Sequence, residues 1–237
     1  MESSTWSTRC CCRSEHGVSA RRPCRGALVR FMTFRPAGSC AHHTWMNDIS
    51  LPTLDNIEAA IWRELQQCLR NRTHAWRTPV LATTDVRGDA DARLLVLREV
   101  DPGARRLRFF TDARSPKRAQ VQLRPQGALV MWSPVLNWQL RLAVNLQLQF
   151  EGIEVSSRWE RVRNSRAASD YLSTLAPGDA LGHHAARQSE DAAARVEPSA
   201  HFALLDAHVR AIDWLELSEQ GHRRARFDAD GARWVQP

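Results

Sequence analysis

Of the 33 basic side chains in this sequence only one is a lysine, Lys117, in the segment Phe109-Phe110-Thr111-Asp112-Ala113-Arg114-Ser115-Pro116-Lys117. A composition that writes nearly every cation as arginine marks this position as one that wants a compact ammonium. Thr111 and Ser115 precede it closely, and Arg93 and Arg98 bracket the apolar run Leu94-Leu95-Val96-Leu97 upstream. An ammonium, guanidinium forks and short hydroxyls form a donor set suited to phosphate or another compact anion. Gln139 opens a long run further on, with a carboxamide that can both donate and accept. Each residue also fits a structural role, the arginines as edge-strand charges and Gln139 as a strand cap; the set carries the reading. His183-His184 has no third ligand in register, so no metal site is expected. Neither G-x-G-x-x-G nor G-x-x-x-x-G-K occurs, which removes the dinucleotide and P-loop phosphate sites.

The elements around these residues are readable from periodicity. Leu54, Ile57, Ile61, Leu65 and Leu69 recur at three and four, the stripe of an amphipathic helix, which Asn71-Arg72 and Pro79 close. Strand-like runs follow at Val80 to Thr84, Arg93 to Glu99 and Leu107 to Thr111, with turn residues at Arg87-Gly88-Asp89 and Asp101-Pro102-Gly103. Two successive hairpins result. Ser115 is expected as a helix N-cap with Pro116 at the first helical position, so that Lys117 lies in the first turn of a short helix ending near Leu123, beside free backbone N–H groups. The strongest alternation runs from Gln139 to Phe150, with Leu140, Leu142, Val144, Leu146 and Leu148 on one face of a long antiparallel strand. Past Gly152 the pattern turns helical through Trp159, Val162 and Tyr171, and Ala185 to Arg195 reads as loop or exposed helix. A helix over roughly Ser199 to His208 is expected next, then strands at Ala211 to Leu217, His222 to Phe227 and Arg233 to Val235. The class is mainly β with flanking helices.

At 237 residues, 43% hydrophobic and 25% charged, the chain has the composition of one soluble domain with a full core. No apolar stretch is long enough to span a bilayer, and a cytoplasmic protein is expected. The net charge of +7 is uneven: residues 1–45 hold seven arginines against Glu2 and Glu15, which is five of the seven. The remainder is too close to neutral to match a duplex, so nucleic-acid binding would have to run through the leader. Five of the six cysteines (Cys10, Cys11, Cys12, Cys24, Cys40) lie in the same leader without a C-x-x-C pair, and only Cys68 lies beyond it. Residues 1–45 are read as a disordered leader or upstream translation before a start at Met46, and residues 46–237 as the domain.

In this order, Arg93 to Arg98, Phe110-Thr111, Ser115-x-Lys117 and Gln139 resemble the pyridoxamine 5'-phosphate oxidase family. Those FMN-binding split barrels carry Arg-x-x-x-Leu-Lys on a first strand, aromatic-Thr at the end of a second, Ser-x-Lys after it, and Gln opening a later strand. The interval from Lys117 to Gln139 fits without a gap, and the resemblance covers most of residues 54–237. It implies an antiparallel split β-barrel, FMN as cofactor, and a homodimer with FMN at the interface. It also implies flavin contacts from Arg93, Leu94, Leu95, Val96, Leu97, Arg98, Phe110, Thr111, Ser115, Lys117 and Gln139. Gln188-Ser189 resemble the family's contact from the partner subunit, and Trp214 with Arg226, or Arg224 in its place, resemble its C-terminal Trp and Arg. FMN's phosphate would take the lysine and arginines, its ribityl chain the hydroxyls, and its ring edge the amide.

The resemblance also shows departures. Arg98 stands for the family's substrate lysine and Tyr171 matches its tyrosine, but Leu175 and Asp179 replace an arginine and a serine. Arg224 falls where a substrate histidine is found. Leucine cannot hold a substrate phosphate and Asp179 repels one, so the pocket is expected to differ from that of a pyridoxamine phosphate oxidase. The likeness is closer to the divergent FMN-binding branch related to that oxidase. An FMN-dependent oxidoreductase is the reading, with a non-catalytic flavin carrier or redox sensor as the alternative.

Overall fold

The computed structural model describes residues 53–173, 175–181 and 201–237. The leader, His183-His184, Gln188-Ser189 and most of Ala185 to Arg195 were named above and lie outside these residues. Helix α1 (Leu54–Arg70) starts at Thr53, whose hydroxyl accepts from the Asn56 N–H, and ends at Asn71. Its stripe buries Ile57, Ile61 and Leu65 completely. Cys68 and His74 fasten its end: Cys68 Sγ lies 3.1 Å from His74 Nδ1, and His74 Nε2 lies 3.2 Å from Glu64 Oε2.

Nine strands form one sheet: β1 (Val80–Thr84), β2 (Ala90–Leu94), β3 (Leu97–Asp101), β4 (Arg106–Asp112), β5 (Gln126–Ser133), β6 (Trp138–Gln149), β7 (Phe202–Glu216), β8 (Arg223–Asp228) and β9 (Gly231–Val235). The order is β2-β1-β5-β6-β7-β4-β3, every pairing given is antiparallel, and β8 and β9 branch from β7. β2 and β3 stand at opposite ends of that path, yet only Leu95-Val96 separate them in sequence. Two residues span well under 10 Å even when extended, roughly 7 Å, so the sheet must curl until its edges meet. The result is a barrel with a seam. It also splits along β7, whose first half pairs with β4 and whose second half pairs with β8.

This seam is why the expected single strand from Arg93 to Glu99 is two strands. The chain leaves one edge of the sheet at Leu94 and joins the other at Leu97, and a register shift between Leu97 and Glu99 leaves Arg98 as the bulged residue. The expected helix before residue 208 is a strand from Phe202 onward. Phe202 to Ala207 are all buried, because this half of β7 is covered on both faces, and a two-sided burial pattern has no strand alternation to read.

The core gathers Leu81, Leu129, Leu140, Leu142, Val144, Ile212 and Phe227 from the strands with Ile57, Ile61 and Leu65 of α1. A second cluster forms where α3 (Ile153–Val162) and α4 (Ser169–Leu172) place Val155, Trp159 and Tyr171 against Phe202 and Leu204. Between them lies a buried ion pair: Arg108 donates from Nε and Nη2 to Asp206 at 2.6 and 2.9 Å, both side chains about 1% exposed. Among the described residues no helix is long and apolar enough to cross a membrane.

Candidate anion and cofactor site

β4 ends in a turn that aims α2 (Lys117–Leu123) back across the barrel. Asp112 makes the turn: its Oδ1 accepts from the Arg114 N–H at 2.7 Å and its carbonyl from the Ser115 N–H at 3.2 Å. Pro116 occupies the cap position and Lys117 is the first helical residue. Ser115, expected as the cap, makes no such bond; its hydroxyl faces Lys117 instead. Lys117 Nζ donates to Thr111 Oγ1 at 2.8 Å and to Ser115 Oγ at 2.6 Å, and both hydroxyls are buried. Burial first, and then the Arg93 guanidinium, push the Lys117 pKa below its ordinary value, while Asp112 and Asp91 pull it back. Among the described residues no carboxylate lies within 4.0 Å of this ammonium; Asp112 is engaged by Arg114 at 2.7 Å.

Arg93, on β2, joins the same cluster. Its Nη1 donates to Thr83 Oγ1 at 2.5 Å and reaches the Leu81 carbonyl at 3.5 Å; its Nη2 donates to Gln120 Oε1 at 2.9 Å and pairs with Asp91. Gln120, buried on α2, is the keystone: its Oε1 also accepts from Thr83 at 2.7 Å, and its Nε2 donates to Asp91 at 2.7 Å. Thr83, Asp91 and Gln120 were not singled out in the sequence. Asp91 had a legible signal, since it lies two residues before Arg93 and therefore on the same face of β2.

The seam places the other upstream residues. Leu95 and Leu97 are buried, and the Leu95 N–H donates to the Pro79 carbonyl at 3.0 Å; Leu94 and Val96 point outward and are exposed. Arg98 carries its guanidinium 5.6 Å from the centre of the Phe110 ring, a cation–π distance. Tyr171 packs edge-on against Phe202 at 5.1 Å, and burial pushes its phenol up to about 12, against a lowering from Arg98. Tyr171 is therefore a neutral hydroxyl at ordinary pH. Asp179 turns its carboxylate onto its own loop, accepting from the Ala176 N–H at 2.8 Å, and Leu175 is half-buried beside it.

Gln139 is not gathered with Lys117. It lies on the outer face of β6 opposite Trp132 of β5 and Leu215 of β7, in the same row as Arg224. Thr111 pairs with Ala203, next to the pairing of Gln149 with Leu204, so Gln139 lies ten residues, roughly 30 Å, along β6 from the Lys117 end. Arg224 donates twice to Asp213, at 2.9 and 2.7 Å, whereas Arg226 is half exposed and bonds to Asp228 at 3.0 Å. Trp214 is fully buried in the core, edge-on to Trp138 at 5.3 Å, and its indole N–H has no partner among the described residues.

Fold and cluster together define an antiparallel split-barrel protein with an anion-binding cluster at one barrel end. Residues 59–149 match the family model described as "Pyridoxamine 5'-phosphate oxidase, FMN-binding domain", and that segment belongs to this family. The chain is similar to a pyridoxine/pyridoxamine 5'-phosphate oxidase of Thermosynechococcus vestitus, 34% identical over 129 residues, 54% of this chain and 53% of the relative. The enzyme of the same description from Trichormus variabilis is 31% identical over 155 residues, 62% and 64% of the two chains. The chain thus spans about half to two-thirds of the length of these curated relatives. Among solved structures, PhzG from Burkholderia lata in complex with tetrahydrophenazine-1-carboxylic acid superimposes with a TM-score of 0.64 at 17% identity, covering 80% of this chain and 98% of that one. A pyridoxamine 5'-phosphate oxidase-related, FMN binding protein from Nostoc punctiforme gives 0.58 at 23% identity, covering 76% and 96%. Both share the split-barrel fold described here.

Proposed function

We propose that this chain binds FMN and acts as an FMN-dependent oxidoreductase, as a homodimer with the cofactor at the subunit interface. The observation that carries the reading is Lys117, a half-buried ammonium presented by two hydroxyls with no carboxylate beside it among the described residues. A desolvated cation without a counter-ion is costly, and a cofactor phosphate would relieve that cost. The residues suit FMN: Lys117, Thr111, Ser115 and Arg93 for the phosphate and ribityl chain, the seam from Leu94 to Arg98 with Phe110 alongside, and the Gln139 amide for the ring edge. The family match of residues 59–149 supports the same cofactor. FMN supplies two-electron redox chemistry when bound, and the protein holds and orients it.

The separation of Gln139 from Lys117 favours two copies over one, since a single chain offers the phosphate and ring contacts at opposite ends of β6. The outer face supports close apposition: Ala92, Ala82, Ala128, Ala143 and Ala211 are register partners across β2, β1, β5, β6 and β7. With Leu94, Val80 and Val130 in the next row, this is a flat face of small and apolar side chains, as an interface between copies requires. Gln188-Ser189, Trp214 and Arg226 stay in the proposal as contacts from the second copy. A cytoplasmic setting belongs to the same proposal.

Arg98 and the neutral Tyr171 hydroxyl would face the substrate. Leu175 gives no charge to a substrate phosphate, so the substrate is inferred to be something other than pyridoxamine phosphate. A non-catalytic flavin carrier is the second reading, favoured by the same departure. The test is the visible absorption spectrum of the purified chain, with the released chromophore identified. Oxidised-flavin bands and released FMN support the reading, and a colourless protein that takes up no added FMN overturns it. Reduction by a nicotinamide donor then separates enzyme from carrier.

A further inference from the structure

Arg93 comes to the proposed phosphate cluster already engaged. Both Nη1 and Nη2 have protein partners: Thr83, the Leu81 carbonyl, Gln120 and Asp91. Three of these are neutral and lie on β1 or α2. The fourth, Asp91, is the one charged partner and the one whose side chain is substantially open to water, 44% exposed against 20% for Arg93. The amide of Gln120 and the Arg93 guanidinium also hold the Asp91 carboxyl below its usual range, so it is ionised at neutral pH.

Resting on the phosphate reading above, we propose that Asp91 is a specificity-determining counter-ion that pairs with Arg93 and must be displaced by an incoming phosphate monoester. The charges make this selective. With Asp91 on Arg93 and Asp112 on Arg114, Lys117 is the one cation of the cluster whose charge is not balanced. A singly charged anion that takes Arg93 only exchanges one ion pair for another. A phosphate dianion gains Lys117 and Arg93 together, and so outcompetes the internal carboxylate. Gln120 makes the exchange local, because its carboxamide and Thr83 keep Arg93 in place while Asp91 swings toward water.

The test is fluorescence titration of the full chain with FMN and with riboflavin, which shares the ring and lacks the phosphate. Asp91→Asn is compared with the native protein, and Asp91→Ala serves as a second variant should the first not fold, as judged by thermal melting. Removing a partly exposed competing ion pair should raise the preference for FMN over riboflavin about fivefold. It should also make FMN binding more sensitive to formate, a singly charged competitor. An FMN preference that is unchanged or lower in a folded variant overturns the proposal and makes Asp91 a support for Arg93. If neither protein distinguishes FMN from riboflavin, the phosphate reading itself fails, and this inference with it.

Discussion

Lys117 is held ready by Thr111 and Ser115 at 2.8 and 2.6 Å, and its lowered pKa gives it a testable pH signature. Its ammonium binds phosphate, so FMN affinity should fall as pH rises through the lowered value, beginning below the ordinary 10.5. The unfolded chain holds that proton more tightly than the folded one. Stability without cofactor should therefore rise over the same window, opposite in sign to affinity. Titrating FMN binding against pH checks this, and Lys117→Arg, which stays charged, should lose the alkaline fall. Replacing Lys117 and Arg93 together with alanine should weaken FMN binding by at least about a hundredfold, at about 1.5–3 kcal/mol per charged contact, with riboflavin affected far less. Equal loss for both flavins would place these residues away from the phosphate.

At the scale of elements, β4 and β7 are pinned by Arg108 and Asp206, which are register partners and nearly inaccessible to water. Gln149 of β6 donates to the same carboxylate at 2.8 Å. Asp206→Ala leaves a buried guanidinium without its partner, and should cost about 3–5 kcal/mol in urea unfolding, with Asp206→Asn recovering part. Neither strand's sequence announces this pair. Arg108 is 98 positions from Asp206, and a charged residue in an apolar run reads as an interruption until the partner strand is known. The elements that were legible have one wet face: the α1 stripe, and β6 with its alternation from Leu140. The seam at Leu95-Val96 and the β7 start at Phe202 were not, because closure of the barrel and two-sided burial are properties of the whole sheet. The site divides the same way: Lys117, Thr111 and Ser115 were local in sequence and are local in space. The partners of Arg93 come from β1 and α2, out of reach of any short motif.

At the scale of the molecule, the row from Ala92 to Ala211 and the distance of Gln139 from Lys117 make the same demand for a second copy. Ala143→Glu puts a charged, longer side chain in the middle of that row. It should leave the barrel folded, shift the protein to monomer in sedimentation, and reduce FMN retention with it. A folded dimer with normal FMN content would remove this face as the interface. The rarity of lysine has a consequence for the whole chain as well. Lys117 is its single side-chain primary amine, so an amine-directed acylating reagent leaves one side-chain mark on the folded barrel, at the proposed phosphate seat. Its weakened basicity keeps more of it in the nucleophilic form at mildly alkaline pH than a surface lysine would offer. Peptide mass mapping of that mark, with and without flavin, would count site occupancy directly, with no other side-chain amine to obscure it.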